Sequence, residues 1–172
     1  MQTVNDWMIK MKINLGSGYD NRSDCLNIDN NVRTLPDILL DVDTEILPFN
    51  DGSVDEVLAY NILEHLINLE EVLEDIHAVM KKGAVLKIIV PYKDSQLALN
   101  HVREFDENCF KGWDKQWYES KEGIGKHQYK FNFKTIKIEV RGHWLGRLIN
   151  NHTWHSFWRS LLTEIYVEMV KI

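Results

Sequence analysis

The sequence predicts an α/β fold: a Rossmann-like, mostly parallel, seven-stranded sheet with helices on both faces, an abbreviated first crossover and an antiparallel edge strand near the carboxyl end. Three observations predict it. Short apolar runs alternate with turn or helical segments along the chain, as parallel strands joined by crossovers do. The first run, Lys12-Ile13-Asn14-Leu15, passes straight into Gly16-Ser17-Gly18, a loop in which backbone must approach something closely. Near the end, Ile136–Val140 and Ile165–Val170 alternate apolar and polar residues as strands of an antiparallel pair do.

The elements follow in order. Residues 1–11, with Trp7, Met8, Ile9 and Met11, suit a short helical lead-in. Six residues separate Gly18 from Cys25, too few for the usual crossover helix of roughly a dozen residues. The second run, Cys25-Leu26-Asn27-Ile28, closes on Asp29, where an acid can accept both hydroxyls of a ribose. Ile38–Asp43 is a third apolar run ending in acids, and the turn residues of Leu47–Ser53 lead to a fourth strand, Val54–Tyr60. Leu66 through Met80 is apolar at helical spacing, with Lys81-Lys82-Gly83 as its basic last turn and terminating glycine. Ala84–Val90 is a fifth strand, stopped by Pro91, and Gln96–Tyr118 reads as loop and helix.

At 172 residues, 44% hydrophobic and 27% charged, the chain suits one soluble domain. No run approaches a membrane span, the amino terminus lacks signal-peptide features, and Cys25 and Cys109 have no framework spacing; a cytoplasmic protein with reduced thiols is expected. The net charge of −6 is uneven. Residues 1–110 hold nine basic and twenty acidic residues, net −11, whereas residues 111–172 hold eleven and six, net +5, with five of the six tryptophans. That basic part reads either as a surface for an anionic or stacked ligand or as a solvated face over an aromatic core. No group of His, Cys, Asp and Glu has metal-ligand spacing, so no metal is expected.

Taken together, Asn14-Leu15-Gly16-Ser17-Gly18, Asn27-Ile28-Asp29, Asp43–Phe49, Asp51–Val57, Leu63-Glu64-His65 and Lys81–Ala84 resemble the class I S-adenosylmethionine-dependent methyltransferases, and among them the small type 11-like group. The resemblance spans residues 12–92, with looser echoes at His101–Phe105 and in the closing strand. It implies a single domain of residues 1–172, with residues 1–92 binding cofactor and 93–172 facing substrate. It implies S-adenosylmethionine as cofactor and S-adenosylhomocysteine as product. Gly16, Ser17 and Gly18 would then pack on the methionine part, with Asn14 hydrogen-bonding it. Asp29 would bind the ribose, Asp43 with Thr44 would frame the adenine with Asp41 as the alternative acid, and Asn61 would sit beside the sulfonium. Asn14 stands where many members have an acid, and Asp20 where a third glycine is usual.

Methyl transfer from a sulfonium requires chiefly that the acceptor be held in line, and a hydroxyl or ammonium acceptor also needs a base. His65, after the fourth strand, is the first candidate, and His101, after the fifth, the second. Glu64 is read as an acid–base group or a helix cap; Tyr92, Arg103 and Trp113 are candidates for acceptor contacts. The expected acceptor is a small polar molecule such as a sugar, since net acidity argues against a general nucleic-acid binder. A catalytically weak or inactive methyltransferase-like partner subunit and an RNA methyltransferase are the alternatives. A nicotinamide dehydrogenase is disfavoured by the missing third glycine. The carboxyl-terminal aromatics offer a homodimer surface.

Overall fold

The computed structural model describes residues 10–93, 101–121, 127–142 and 162–172. The expected lead-in at Trp7, Met8 and Ile9, the residues from Gln96 to Asn100, and Trp144, Trp154, Trp158, His143, His152 and His155 lie outside the described residues.

Seven strands form one sheet: β1 (Lys12–Leu15), β2 (Leu26–Asp29), β3 (Ile38–Leu39), β4 (Val54–Tyr60), β5 (Met80–Pro91), β6 (Phe133–Gly142) and β7 (Leu162–Lys171). Their order is β3-β2-β1-β4-β5-β7-β6. Strands β1 to β5 pair in parallel, while β7 runs antiparallel to both β5 and β6. The chain therefore winds outward from β1 in one direction through β2 and β3, and in the other through β4 and β5. Carboxyl ends of β1 and β4 part at that switch of direction, which opens a crevice where such sheets bind ligands. The antiparallel pair forms the expected edge, with β6 outermost and β7 inside it.

Helix α1 (Leu69–Val79) buries Leu69, Val72, Leu73, Ile76 and Val79 against the sheet, each worth roughly 1.5–3 kcal/mol before chain entropy is subtracted. It starts three residues later than its periodicity predicts, because Asn68 is anchored at its entrance: the Asn68 N–H donates to Asp43 Oδ1 at 2.7 Å, and Nδ2 to the Asp43 carbonyl at 2.9 Å. It also ends sooner. Met80 is fully buried and pairs with Val54, so Lys81-Lys82-Gly83 extend β5 instead of closing the helix.

The short helices α2 (Glu107–Lys111) and α3 (Lys115–Glu119) are capped by Asp106 and Asp114. Phe110 of α2 lies among Phe105, Trp113, Phe131 and Phe133, an aromatic core that accounts for part of the carboxyl-terminal aromatic content. Phe110 O accepts from Thr135 Oγ1, and His77 of α1 meets the Phe133 ring edge-on at 5.1 Å, so α1 and α2 cover the same face of the sheet. The helices expected on the second face are not among the described residues, because the crossovers after β1, β2 and β3 are turns with one 3-10 segment at Val32–Thr34, too short for a packed helix. That face is charged, with Lys87 Nζ 2.7 Å from Glu56 and Arg141 over the Tyr166 ring. Among the described residues no helix is long and apolar enough to cross a membrane.

One surface contact makes a testable contribution. Lys81 Nζ lies 2.8 Å from both carboxylate oxygens of Asp55, and the Met11 N–H donates to Oδ2 at 2.9 Å. The lysine bond holds the Asp55 carboxyl below its usual range, against the opposing effect of burial. A depressed pKa in the folded state stabilises above the unfolded value, near 3.9, and that stabilisation is lost as pH falls through the folded value. Asp55→Asn is therefore expected to lower stability by about 0.2–1 kcal/mol at pH 7, and by less below about pH 3. Urea midpoints at the two pH values test this; an equal deficit at both would remove the ion pair as its cause.

Candidate functional site

The glycine loop leaves β1 with Gly16 at φ +63° and Gly18 at φ +51°, a left-handed backbone that side chains resist. A Cβ at Gly16 would overlap the Ile62 side chain, whereas one at Gly18 would meet nothing within 4 Å. The loop is tied from below. Asn14, buried in β1, donates through Nδ2 to the Asp20 carbonyl at 2.8 Å and to Asn27 Oδ1 at 3.2 Å. An acid at this position has no N–H with which to make those ties, so the asparagine suits the shortened loop. The Ser17 N–H donates to the Ile28 carbonyl, and its buried hydroxyl has no partner among the described residues.

Asp29 ends β2 directly opposite. Its Oδ2 accepts the Gly18 N–H at 2.7 Å and its Oδ1 the Asn31 N–H at 2.8 Å, which fixes the carboxylate while each oxygen retains a lone pair. Beyond it opens a cavity of about 410 Å³, walled by the glycine loop, Asp29, Asp41, Asp43, Asn61 and His65, with Ile28, Leu40, Val42 and Leu66 as apolar surface. A smaller cavity of about 270 Å³ adjoins Asn14, Ser17 and Tyr60 and shares Gly16, Gly18 and Asn61 with the first. This size and mixture suit a ligand with a flat apolar group and several hydroxyls.

The structure thus brings Asn14, Gly16, Ser17, Gly18, Asp29, Asp41, Asp43, Asn61 and His65 together around two adjoining cavities. Asp41 and Asp43 both face the larger one, Asp41 Oδ1 accepting the Asp43 N–H at 3.1 Å. Thr44 does not wall it: it is exposed and lies in a neighbouring cleft beside Glu45 and Ile46. Leu40, Val42, Ile62 and Leu66 are apolar walls not expected from the sequence, where their only signal is adjacency to the acids and to His65.

His101 reaches the same region through long-range docking. The Val102 N–H donates to the Glu64 carbonyl at 2.9 Å, and the Arg103 guanidinium donates to the carbonyls of Leu66 and Ile67 at 2.7 and 3.0 Å. These contacts bring the His101 and His65 rings edge-on at 5.0 Å between centroids. Burial, and then the charge of His65, push the His101 pKa down. Glu64 caps no helix, since Asn68 precedes α1; it is buried, and burial raises its carboxyl pKa. Arg103 is a clamp on the loop after β4, Trp113 packs on Phe110, and Tyr92 is buried beside Phe105, so none of the three walls the cavity. His127 stacks edge-on with Tyr118 and Tyr129.

Whether these residues fit the cofactor implied by the sequence can be judged from the orphaned Ser17 hydroxyl, the open space above Gly18 and the free lone pairs of Asp29. They fit. Asn14, Ser17 and the glycine backbone would hold the amino-acid part, Asp29 the ribose, and Asp41 or Asp43 with Val42 the adenine.

Residues 19–88 match the family model described as Methyltransferase domain. No curated protein matches the chain. Among solved structures, a SAM dependent methyltransferase from Archaeoglobus fulgidus is 16% identical with a TM-score of 0.63, over 95% of this chain and 86% of that one. An S-adenosylmethionine dependent methyltransferase from Mesorhizobium loti is 12% identical with a TM-score of 0.59, over 94% and 90%. The [4+2]-cyclase SpnF is also 12% identical at 0.59, over 94% and 74%. At such identities the structural likeness shows the fold alone, and the family model matches 70 of the 172 residues. The chain has the fold of the S-adenosylmethionine-dependent methyltransferases, and its residues 19–88 are similar to the methyltransferase domain family.

Proposed function

We propose that the chain methylates an oxygen or nitrogen of a small polar molecule, a sugar or related metabolite, and that His65 and His101 serve its acceptor. The observation that carries this reading is the continuity of the site: the cavity lined by the glycine loop and Asp29 also has His65 in its wall, with the His101 ring 5.0 Å from it. The cofactor supplies an activated methyl group on a sulfonium. The protein supplies the rest. Asp29 and the glycine loop orient the bound nucleoside, Asn61 borders both cavities where the reactive end would lie, and the two imidazoles accept the proton that a hydroxyl or ammonium acceptor must lose. His101 is suited to the acceptor role because its depressed pKa keeps the ring neutral near neutral pH.

A small acceptor fits the charge distribution. The part of the chain that builds the cavity carries the acidic excess, net −11 over residues 1–110, which repels a polyanionic strand. Likeness to a cyclase shows that the fold itself does not settle the reaction, so transfer must be measured. Tritium-labelled S-adenosylmethionine is incubated with the protein and a panel of sugars, nucleotide sugars, amines and total RNA. Label is expected in a small-molecule fraction. Label confined to RNA would transfer the reading to an RNA methyltransferase, and S-adenosylhomocysteine binding without transfer to any acceptor would favour the inactive partner subunit.

A further inference from the structure

Glu64, His65 and His101 offer one carboxylate oxygen and two imidazole nitrogens, and these ligand atoms all lie within 4.8 Å of one another. The sequence conceals the group because His101 arrives from beyond the fifth strand, held there by Val102 and Arg103. Glu64 is 1% exposed and its Oε2 has no hydrogen-bond partner among the described residues. A buried carboxylate oxygen without a donor is costly, and a positive charge placed against it removes that cost. We propose that Glu64, His65 and His101 bind a divalent transition-metal cation at the mouth of the cofactor cavity.

Two imidazoles and one carboxylate form the donor set of open metal sites, in which three protein ligands leave a position for water or substrate. Nitrogen donors favour zinc, iron, cobalt or nickel over magnesium and calcium, which prefer oxygen. Ligands at about 2 Å in a tetrahedron stand roughly 3–3.5 Å apart, so the group must tighten slightly. His65 is exposed, which gives the cation a route from solvent.

The catalytic consequence rests on the methyl-transfer reading; the binding does not. An acceptor hydroxyl entering the open position would form a metal–oxygen bond as its O–H bond breaks and the proton passes to water. The oxygen then presents as the nucleophile; with the cation bound the histidines hold it and the proton leaves to water, and only in the metal-free protein do the imidazoles take the proton themselves.

The 172-residue protein stripped with a chelator and titrated with Co²⁺, followed by visible absorption, with Zn²⁺ as competitor and Mg²⁺ as control, tests the site. One saturating equivalent is expected, displaced by Zn²⁺ and not by Mg²⁺. Outer-shell partners alone change metal affinity roughly 10–100-fold, so His101→Ala is expected to weaken binding at least about 100-fold. Glu64→Gln should weaken it similarly; if that buried variant fails to fold, the half-exposed His101 decides. Absence of saturable binding up to millimolar Co²⁺, or wild-type affinity in folded His101→Ala, overturns the site. Metal binding without S-adenosylhomocysteine binding leaves the site standing and removes the methyl-transfer reading. Cofactor binding without metal removes the site alone.

Discussion

Replacing Asp29 with alanine is expected to weaken S-adenosylhomocysteine binding by roughly 10²–10⁴-fold. The figure follows from the two ribose hydroxyls that its carboxylate can accept, each hydrogen bond to a charged group being worth about 1.5–3 kcal/mol. It is a local effect on a prepared group. Asp29 is held by the Gly18 and Asn31 N–H groups, so it is already oriented before ligand arrives and loses little freedom on binding. Asp29→Asn keeps an acceptor oxygen but gives up the charge, and should fall between wild type and the alanine variant. Calorimetric titration of the three proteins measures the series, with NADH as control ligand and circular dichroism to show that each is folded. Unchanged affinity in Asp29→Ala would mean that the adenosyl ligand binds elsewhere, and the assignment of this crevice as the cofactor site would fall.

The residues in that prediction were visible in the sequence because their signal is local. A strand running into two glycines, and a second apolar run closed by an acid, each occupy a few consecutive residues, and the parallel order of the strands brings them together without further information. Residues set by distant contacts were hidden. His101 meets His65 only because Val102 and Arg103 dock on the backbone of residues 64–67. Thr44 stands beside Asp43 in the sequence but turns to a neighbouring cleft, because the Asp43–Asn68 contacts commit that loop to the start of α1. The helix boundaries moved for a similar reason: Met80 is apolar at helical spacing, yet pairing with Val54 places it in a strand. Apolar periodicity marks which residues are buried, and tertiary pairing decides in which element.

Gly16 and Gly18 look equivalent in the sequence, and the structure separates them. Both have positive φ, so an alanine at either carries a conformational strain of about 1–2 kcal/mol. Only at Gly16 does the new Cβ collide, with Ile62 at the base of the loop after β4, and forcing a side chain into such a site typically costs a further 1–3 kcal/mol. Gly16→Ala is therefore expected to lose about 2–5 kcal/mol in total, equivalent to roughly 4–20 °C in Tm for a chain of this length, while Gly18→Ala loses the strain alone. Because Gly16 and Ile62 both wall the cavity, the displacement should also weaken S-adenosylhomocysteine binding. A double-mutant cycle isolates the collision: Ile62→Ala introduced into Gly16→Ala removes the overlapping Cδ1 and Cγ1 but keeps the Cβ at 2.9 Å, so it should recover part of the packing loss and leave the strain, giving a coupling on the order of 1–2 kcal/mol. Additive losses in the cycle, or equal losses at the two glycines, would show that the loop yields without pressing on Ile62, and that Gly16 owes its place to backbone conformation alone.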